Sequence, residues 1–270
     1  MSNIALANTK VDTPLIGVQL HSVKHQVDQD FSGTLRTIAD MGFDGVEFAG
    51  RYGPYKDDPL ALKAFLQSIG LQVSGAHTSI NQLRKGSITD NLSFFQQLGV
   101  ELLIVPHDDR VDDPDKVAEL AKELRALTIQ AKEYGIKLGY HNHAKEFKSF
   151  KDTTFWDYLA QSTPEEFVLQ LDVGWANYAG ADAIEYVKRY PNRTITTHYK
   201  IRNHEGLNEP VIIGNDSFDW KKLFETNITF GSTKWIIIEQ EEYPLGMSTL
   251  DAVRASKAGL DLIIKSNSPQ

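Results

Sequence analysis

Cysteine is absent from this sequence of 270 residues, and its absence excludes several kinds of chemistry. A thiol nucleophile, a disulfide framework and a thiolate-bound zinc ion all require cysteine. Histidine, aspartate and glutamate then remain as the strong metal ligands. Any metal centre in this chain must therefore be built from imidazole and carboxylate groups.

Long apolar runs and excess positive charge are also absent. No run of about 18 apolar residues occurs, and the start of the chain has neither the charged leader nor the apolar stretch of a secretory signal. We therefore expect a cytoplasmic protein without membrane contact. The formal net charge is -8 at pH 7, whereas binding to nucleic acid depends on clustered Lys and Arg that neutralise phosphates. We expect no nucleic-acid partner.

The composition is otherwise that of an ordinary globular enzyme, with 41% hydrophobic and 24% charged residues. No linker, internal repeat or low-complexity segment divides the chain after its polar start. A length of 270 residues also suits one large α/β domain. We therefore predict a flexible lead-in over residues 1–12 and a single domain over residues 13–270.

Eight apolar segments alternate with eight helix-like segments along this domain. The predicted strands cover residues 15–20, 43–48, 71–77, 101–105, 138–147, 167–172, 194–199 and 235–239. The predicted helices cover residues 31–41, 58–69, 89–98, 113–134, 154–161, 183–189, 216–224 and 250–264, and Asp216 or Ser217 is the expected cap of the seventh. This alternation predicts a closed (β/α)8 barrel. A doubly wound open sheet is the second interpretation, but no glycine-rich dinucleotide fingerprint follows the first strand.

The predicted strands five to eight each end in a side chain of metal-ligand type. These side chains are His141, Asp172, His198 and Glu239. Each one alone is more often a structural group, but the carboxyl ends of all strands open on one face of a barrel. Glu239 follows three isoleucines, where a carboxylate is costly to bury without a charged partner. The sequence therefore predicts one shared divalent ion, and the mixed ligands suit Mn, Co, Zn or Mg.

The first four predicted strands also end near polar side chains that can bind substrate hydroxyl groups. Glu47 and His77 follow strands two and three, and we predict a substrate-binding role for both. His107 follows strand four and is a further substrate-binding candidate, although a structural role suits it equally well. The same two alternatives hold for His21 after strand one.

Two further side chains are candidates for contact with a substrate. Lys200 lies two residues after His198 and so on the same side of that strand, where its ammonium group can stabilise an alkoxide. A solvated lysine at a strand end is the alternative. Trp175 can stack on a sugar ring, and a wall position in the barrel is its alternative.

Several of these motifs together resemble the xylose isomerase-like TIM-barrel family of sugar isomerases and epimerases. The motifs are Gly17-Val-Gln-Leu20, Phe43-Asp-Gly-Val-Glu47, Tyr140-His-Asn-His143 with Glu146-Phe147, Leu171-Asp-Val-Gly-Trp175, His198-Tyr-Lys200, Gly214 with Phe218-Asp-Trp220, and Ile238-Glu-Gln240. The resemblance spans nearly the whole chain. It implies a divalent metal ion at the ends of strands five to eight, with Asp172, His198 and Glu239 among its ligands.

The fifth strand departs from the family pattern. Many relatives have a glutamate, acting as both ligand and base, where this chain has His141. The fourth ligand is therefore open among His141, His143 and Glu146, and the latter two are also candidates for substrate binding. A second departure is Ile201, where relatives often have an aspartate.

The resemblance and the ligands together predict a metal-dependent isomerase or epimerase of a sugar or keto-sugar. Proton abstraction next to a carbonyl would form a metal-stabilised enediolate, with Glu239 as the preferred base and His141 and Lys200 as further catalytic candidates. A lyase or hydratase acting on a 3-keto-glycoside or an inosose uses the same enediolate, and the missing glutamate of strand five favours it. No glycine-rich phosphate loop is visible, so we expect an unphosphorylated substrate.

Two other classes of function are less favoured. An apurinic-endonuclease-like phosphodiesterase would need more metal ligands and a basic surface, and the net charge of -8 opposes it. The third class is a non-catalytic binding or subunit role. A homo-oligomer or a complex with a partner subunit is compatible with the family resemblance.

Overall fold

The computed structural model describes residues 13–204, 210–244 and 246–267, and its centre is a closed barrel of eight parallel strands. The barrel strands are β1 (Leu15–Gln19), β2 (Gly45–Phe48), β3 (Gln72–His77), β4 (Leu102–Val105), β5 (Lys137–His141), β8 (Val168–Asp172), β9 (Thr196–Tyr199) and β10 (Trp235–Ile238). Around the barrel their order is β1-β10-β9-β8-β5-β4-β3-β2. The predicted (β/α)8 barrel is confirmed, and the predicted lead-in over residues 1–12 lies outside the described residues.

Helices follow the strands and cover the outside of the barrel. They are α1 (Lys24–Gln29), α2 (Phe31–Asp40), α3 (Pro59–Ser68), α4 (Ile80–Arg84), α5 (Ile88–Leu98), α6 (Val117–Lys132), α7 (Phe155–Ser162), α8 (Val173–Tyr178), α9 (Ala183–Arg189), α10 (Trp220–Thr226) and α11 (Thr249–Asn267). No helix of the described ranges is both long and apolar enough to cross a bilayer.

All eight predicted helices have counterparts, but strict alternation does not hold. The unpredicted helices α1, α4 and α8 have only five or six residues, too few to show a helical period. A small antiparallel hairpin of β6 (Ser149–Phe150) and β7 (Thr153–Thr154) lies between β5 and α7. These additions occupy the connections and leave the barrel order unchanged.

The cap of α10 differs from the predicted one. Asp219 precedes the helix, and its side chain accepts a hydrogen bond from the backbone N–H of Lys222. The predicted cap Asp216 instead accepts from the backbone N–H of Phe218 and from Nε1 of Trp220, both at 2.8 Å. Asp216 therefore stabilises the turn before α10, and the correct cap lies three residues further on.

Two separate apolar cores hold the fold together. The larger core lies between the strands and the surrounding helices. The smaller core fills the barrel interior and consists of Leu102, Ile104, Val168, Ile195, Trp235 and Ile237. Gly45 makes room for it, because a Cβ there would lie 2.8 Å from the Trp235 ring.

The interior changes from apolar to polar toward the carboxyl ends of the strands. Successive inward residues of one strand are two positions apart, so Gln170 and Asp172 follow Val168, and Glu239 follows Ile237. The polar side chains at these levels are almost inaccessible to solvent. The apolar layer therefore closes one end of the barrel, and the polar groups face the other.

Candidate metal centre and active site

The structure brings together the four side chains predicted as metal ligands. One ligand atom from each of His141, Asp172, His198 and Glu239 lies within 4.8 Å of the others, and all four residues are buried. Oδ2 of Asp172 is 3.7 Å from Nε2 of His141 and 3.9 Å from Nδ1 of His198. Nδ1 of His198 is 3.1 Å from Oε2 of Glu239. The cluster joins three adjacent barrel strands and the residue after a fourth.

One oxygen of this cluster lacks a hydrogen-bond partner. Oδ1 of Asp172 accepts from the backbone N–H of Trp175 at 2.8 Å, but the buried Oδ2 has no partner among the described residues. A buried acceptor in this state is costly, and a bound cation would satisfy it. Two imidazoles and two carboxylates also suit a divalent ion of the Mn, Co, Zn or Mg type. The residues present therefore fit a divalent metal.

Lys200 gives the cluster a permanent positive charge. Its Nζ atom lies 3.0 Å from Glu239, 3.6 Å from Asp172 and 2.5 Å from Glu241. Burial would lower the pKa of Lys200, but Glu239 and Asp172 outweigh burial and raise it. The lysine therefore stays protonated beside the carboxylates.

The carboxylates and imidazoles of the cluster respond differently to burial. Burial would raise the pKa of Glu239, but Lys200 and His198 hold it well below its usual range. Burial raises the pKa of Asp172 to about 6, although Lys200 opposes this effect. Burial also lowers the pKa of His141 far enough to keep its imidazole neutral. Glu239 is therefore the more acidic carboxyl of the pair.

A buried polar layer supports the cluster from inside the barrel. Oε2 of Glu47 accepts from Nε2 of Gln19 at 2.7 Å and lies 2.6 Å from Nε2 of His198. Oε1 of Glu47 accepts from Nε2 of Gln170 at 2.7 Å. Glu47 is fully buried, and each of these contacts is to another side chain. This enclosure differs from the predicted contact of Glu47 with substrate hydroxyl groups.

A cavity of about 580 Å³ opens beside the cluster at the carboxyl ends of the strands. The predicted residues that line it are His21, His77, His107, His141, His143, Lys200 and Glu239. A second cavity of about 520 Å³ lies at the amino ends of the strands, and none of the predicted site residues lines it. The predicted site residues therefore favour the first of these two cavities, and its size is that of a small-molecule site.

The three candidates for the fourth ligand, at the end of β5 and just after it, have different surroundings. His141 belongs to the cluster, and His143 lines the cavity with a buried Nδ1 that has no partner among the described residues. Glu146 is fully buried and accepts from the backbone N–H of His143 at 2.8 Å and from the Tyr140 hydroxyl at 3.4 Å. Burial raises the pKa of Glu146 to about 7. Of the three, His141 is the one that lies within the cluster of candidate ligands.

Trp175 and His107 differ from the other substrate-binding candidates. The Arg202 guanidinium lies 4.2 Å from the centre of the Trp175 ring, and Trp175 does not line the cavity. One face of this ring is therefore covered by protein. His107 is half exposed and lies 3.1 Å from Asp109, at the outer part of the cavity.

Several polar residues of the site were not predicted. Gln170 stands two residues before Asp172 in an apolar run, and this spacing places both on one face of β8. Asn142 accepts from the backbone N–H of Asp172 at 2.8 Å and donates to its carbonyl at 3.1 Å. Gln19 shows the same signal as Gln170, since it is an amide in an apolar strand. Glu241 shows no such signal, because its role depends on reaching Lys200.

The comparisons with known proteins agree with this architecture. The model of the xylose isomerase-like TIM barrel family matches residues 35–265. Inosose dehydratase from Lacticaseibacillus casei is 24% identical over 267 residues, which cover 85% of this chain and 87% of that protein. A sugar phosphate isomerase/epimerase from Parabacteroides distasonis ATCC 8503 has a TM-score of 0.73 at 22% identity, covering 96% of this chain and 98% of that one.

A further solved structure, that of an L-ribulose 3-epimerase, has a TM-score of 0.67 at 15% identity and covers 94% of this chain and 95% of that one. At these identities the solved structures establish the fold. The family match extends over most of the barrel and includes the ends of strands β5, β8, β9 and β10. The chain therefore belongs to the xylose isomerase-like TIM barrel family.

Proposed function

We propose that the chain is a divalent-metal-dependent enzyme that removes a proton from the carbon next to a carbonyl of a sugar or keto-sugar. The observation that carries this proposal is the buried cluster of His141, Asp172, His198 and Glu239, in which Oδ2 of Asp172 has no hydrogen-bond partner among the described residues. Support also comes from relatives named as inosose dehydratases and as sugar isomerases or epimerases. A divalent ion held by these four side chains would supply a Lewis acid for neighbouring carbonyl and hydroxyl oxygens.

The side chains around the cluster supply the other parts of the chemistry. The Lys200 ammonium can stabilise negative charge on an oxygen of the substrate, because it is protonated and lines the cavity. Glu239 is ionised at neutral pH and also lines the cavity, so it can accept a proton. Burial lowers the pKa of His143 to about 4, so its imidazole is neutral at pH 7 and is a second group that can accept a proton.

Isomerisation or epimerisation is the first candidate reaction. Isomerisation removes a proton from one carbon and returns a proton to the neighbouring carbon, whereas epimerisation returns a proton to the same carbon. Inversion of that carbon requires proton-transferring groups on two sides of the substrate. Glu239 follows β10, whereas His143 follows β5, and these strands are not neighbours in the barrel. Both side chains line the same cavity and can approach a substrate from different sides.

Elimination of water or of an alcohol is the second candidate, and one observation favours it. The structure encloses Glu146 away from the cavity and puts His141 at the end of β5, so this strand contributes no carboxylate to the cavity. A lyase or hydratase needs one base and one acid for the leaving group, a requirement that Glu239 and a histidine can meet.

The lining of the cavity favours an unphosphorylated substrate. Among the described residues, the lining contains no arginine, and its lysines are Lys145 and Lys200. Lys200 already contacts the carboxylates of Glu239, Asp172 and Glu241. Lys145 lies 3.8 Å from Asp112. A phosphate group would therefore meet few cations without a partner.

A multinuclear phosphodiesterase is poorly supported. The described residues offer two overlapping groups of candidate ligands, which share His141 and His198. Separate ligand sets for several zinc ions would be needed for that chemistry.

Proton exchange with solvent tests the proposal. Purified protein loaded with Mn²⁺ or Co²⁺ is incubated in D₂O with a 3-keto-glucoside, an inosose or a free ketohexose, and the products are followed by NMR. Deuterium in an intact, isomerised or inverted sugar supports epimerisation or isomerisation, whereas release of the aglycone or of water supports elimination. No exchange and no product with any of these compounds would contradict the proposed function. The Asp172→Asn variant is the inactive control.

A further inference from the structure

The buried polar layer beneath the cluster contains side chains that have no direct part in the proposed reaction. We infer that Glu47 and Gln170 are positioning residues that fix the tautomers of His198 and His141. His141 then turns an unprotonated nitrogen toward Asp172, and His198 keeps its Nε2 proton when a metal ion displaces the proton on Nδ1. The inference rests on the metal site of the proposed function, but it concerns Glu47 and Gln170, whose side chains are fully buried and do not line the cavity.

Glu47 is the first link, because its carboxylate can only accept hydrogen bonds. Nitrogen atoms of Gln19, Gln170 and His198 lie 2.6 to 2.7 Å from its two oxygens, and Nε2 of His77 lies at 3.1 Å. Burial would raise the pKa of Glu47, but His77 and His198 outweigh burial and keep the carboxylate ionised. An ionised carboxylate has no proton to donate, so every nitrogen facing it must carry one.

Gln170 is the second link, because Glu47 determines which way its amide points. The Gln170 atom 2.7 Å from Oε1 of Glu47 must be the NH₂ group, since a carbonyl oxygen there would face another acceptor. The Gln170 carbonyl oxygen then faces the other way. It lies 2.7 Å from Nε2 of His77 and 3.0 Å from Nδ1 of His141.

The two histidines of the cluster follow from these constraints. Nδ1 of His141 faces the amide oxygen of Gln170 and must carry the proton, which leaves Nε2 free toward Asp172. Nε2 of His198 faces Glu47 and must carry a proton. Nδ1 lies 3.1 Å from the ionised Glu239 and also carries a proton in the metal-free protein, so a metal ion would displace that proton while Glu47 holds the one on Nε2. Partners of this kind hold the rings of metal-binding histidines and raise their basicity.

The variant Glu47→Gln disturbs these hydrogen bonds with little change in the shape of the side chain. One side of the new amide is an NH₂ group, and it must face either Nε2 of His198 or the NH₂ group of Gln170. The first orientation favours a proton on Nδ1 of His198, and the second turns Gln170 and favours a proton on Nε2 of His141. Either outcome leaves the only proton of one imidazole on the nitrogen that would bind the metal, so we expect an affinity for Mn²⁺ or Co²⁺ lower by roughly 10–100-fold.

A second variant, Gln170→Met, removes the carbonyl oxygen that faces His141 and His77 together with the NH₂ group that faces Glu47. We expect a fall in metal affinity and a mixture of His141 tautomers, which ¹⁵N NMR of the imidazole nitrogens in metal-free protein reports directly. The wild-type protein should show a proton on Nδ1 of His141. If Glu47→Gln does not fold, Gln170→Met alone decides the question.

Asp157→Asn is the matched control. Asp157 is another buried carboxylate, bound to Arg189 and to the Tyr190 hydroxyl at 3.0 and 2.6 Å, but it lies on α7 outside the barrel. This variant should lose stability while its metal affinity and His141 signals stay as in the wild type.

Wild-type metal affinity in Glu47→Gln or Gln170→Met would overturn the inference, and so would a proton on Nε2 of His141 in the wild type. A wild-type protein that binds no divalent ion or turns over no keto-sugar contradicts the proposed function instead. The His141 tautomer in metal-free protein still tests the hydrogen bonds from Glu47 through Gln170 to His141 in that case.

Discussion

The ammonium group of Lys200 lies 3.0 Å from Oε2 of Glu239, and the two residues are only 2% and 7% exposed. An exposed lysine at a strand end would not need such a partner. Burial of a lone cation costs several kcal/mol, so the surrounding carboxylates are required to keep Lys200 charged inside the barrel. The same pair means that the negative charge of the cluster is partly balanced before any metal arrives.

Removal of this charge should destabilise the metal-free protein. Lys200→Met removes the buried ammonium group that Asp172 and Glu239 share, and we expect the free energy of unfolding in EDTA to fall by roughly 3–5 kcal/mol. Mn²⁺ should restore part of the loss, because it replaces the missing positive charge. Urea unfolding with and without metal measures both effects. Lys200→Arg, which keeps the charge, is the control; equal stability of Lys200→Met and wild type would exclude this role for the lysine.

Loss of a ligand should abolish binding of the divalent ion. We expect Asp172→Ala and His198→Ala to retain less than about a tenth of the wild-type metal content after dialysis, because each removes one of four ligands. Elemental analysis of the purified proteins measures this content. His25→Ala replaces an exposed histidine and serves as the control. Full occupancy in either cluster variant would rule out the proposed ligand set.

Glu146 should make stability depend on pH. Burial raises its pKa from an ordinary 4.5 to about 7, so the folded protein favours the protonated carboxyl. The folded state is thus favoured below about pH 4.5, and this contribution is lost as the pH rises through 7. The shift corresponds to roughly 3 kcal/mol, at about 1.4 kcal/mol per pH unit.

Glu146→Gln cannot ionise, so its stability relative to wild type should increase between pH 4.5 and pH 8 by an amount of that order. Urea unfolding at the two pH values measures the difference. Glu165→Gln changes an exposed carboxylate and should show no such trend. A constant difference between Glu146→Gln and wild type would mean that this carboxyl is not destabilised by burial.

Gly259 on α11 should resist replacement by alanine. Alanine is normally better than glycine inside a helix by about 1 kcal/mol, but a Cβ here would collide with the carbonyl oxygen of Ile213. We expect Gly259→Ala to lower the free energy of unfolding by about 1–3 kcal/mol. Thermal or urea unfolding checks the sign. Ala258→Gly, at the exposed neighbouring position, should cost only the ordinary propensity difference.

The order of the barrel and the cluster could be predicted because both depend on local patterns. Apolar segments of strand length alternate with helical periods, and a barrel brings the ends of all its strands to one face. This geometry alone placed Asp172, His198 and Glu239 close together. The identity of His141 as the fourth member depended on which side chains after β5 point inward, and the sequence left that open.

The depth at which a side chain lies in the barrel could not be predicted from the sequence. Glu47 follows an apolar run just as Asp172 does, yet it lies in a closed layer below the cluster. Its level depends on how neighbouring strands are offset, and an irregularity between Val46 and Glu47 shifts the pairing of β2 with β3. Likewise, the covering of Trp175 by Arg202 joins two loops that are far apart in sequence.

The closure of the barrel joins its first strand to its last. β1 pairs with β10, and just beyond these strands the backbone N–H of Gln240 donates to the Ser22 hydroxyl, 218 positions earlier, at 2.9 Å. During synthesis on the ribosome, one edge of β1 therefore stays unpaired until almost the whole barrel has been made. Glu239 follows β10 directly, so incomplete chains that lack β10 also lack the full cluster. The unpaired edge of β1 is the part of such a chain that a chaperone or another unfolded chain would bind.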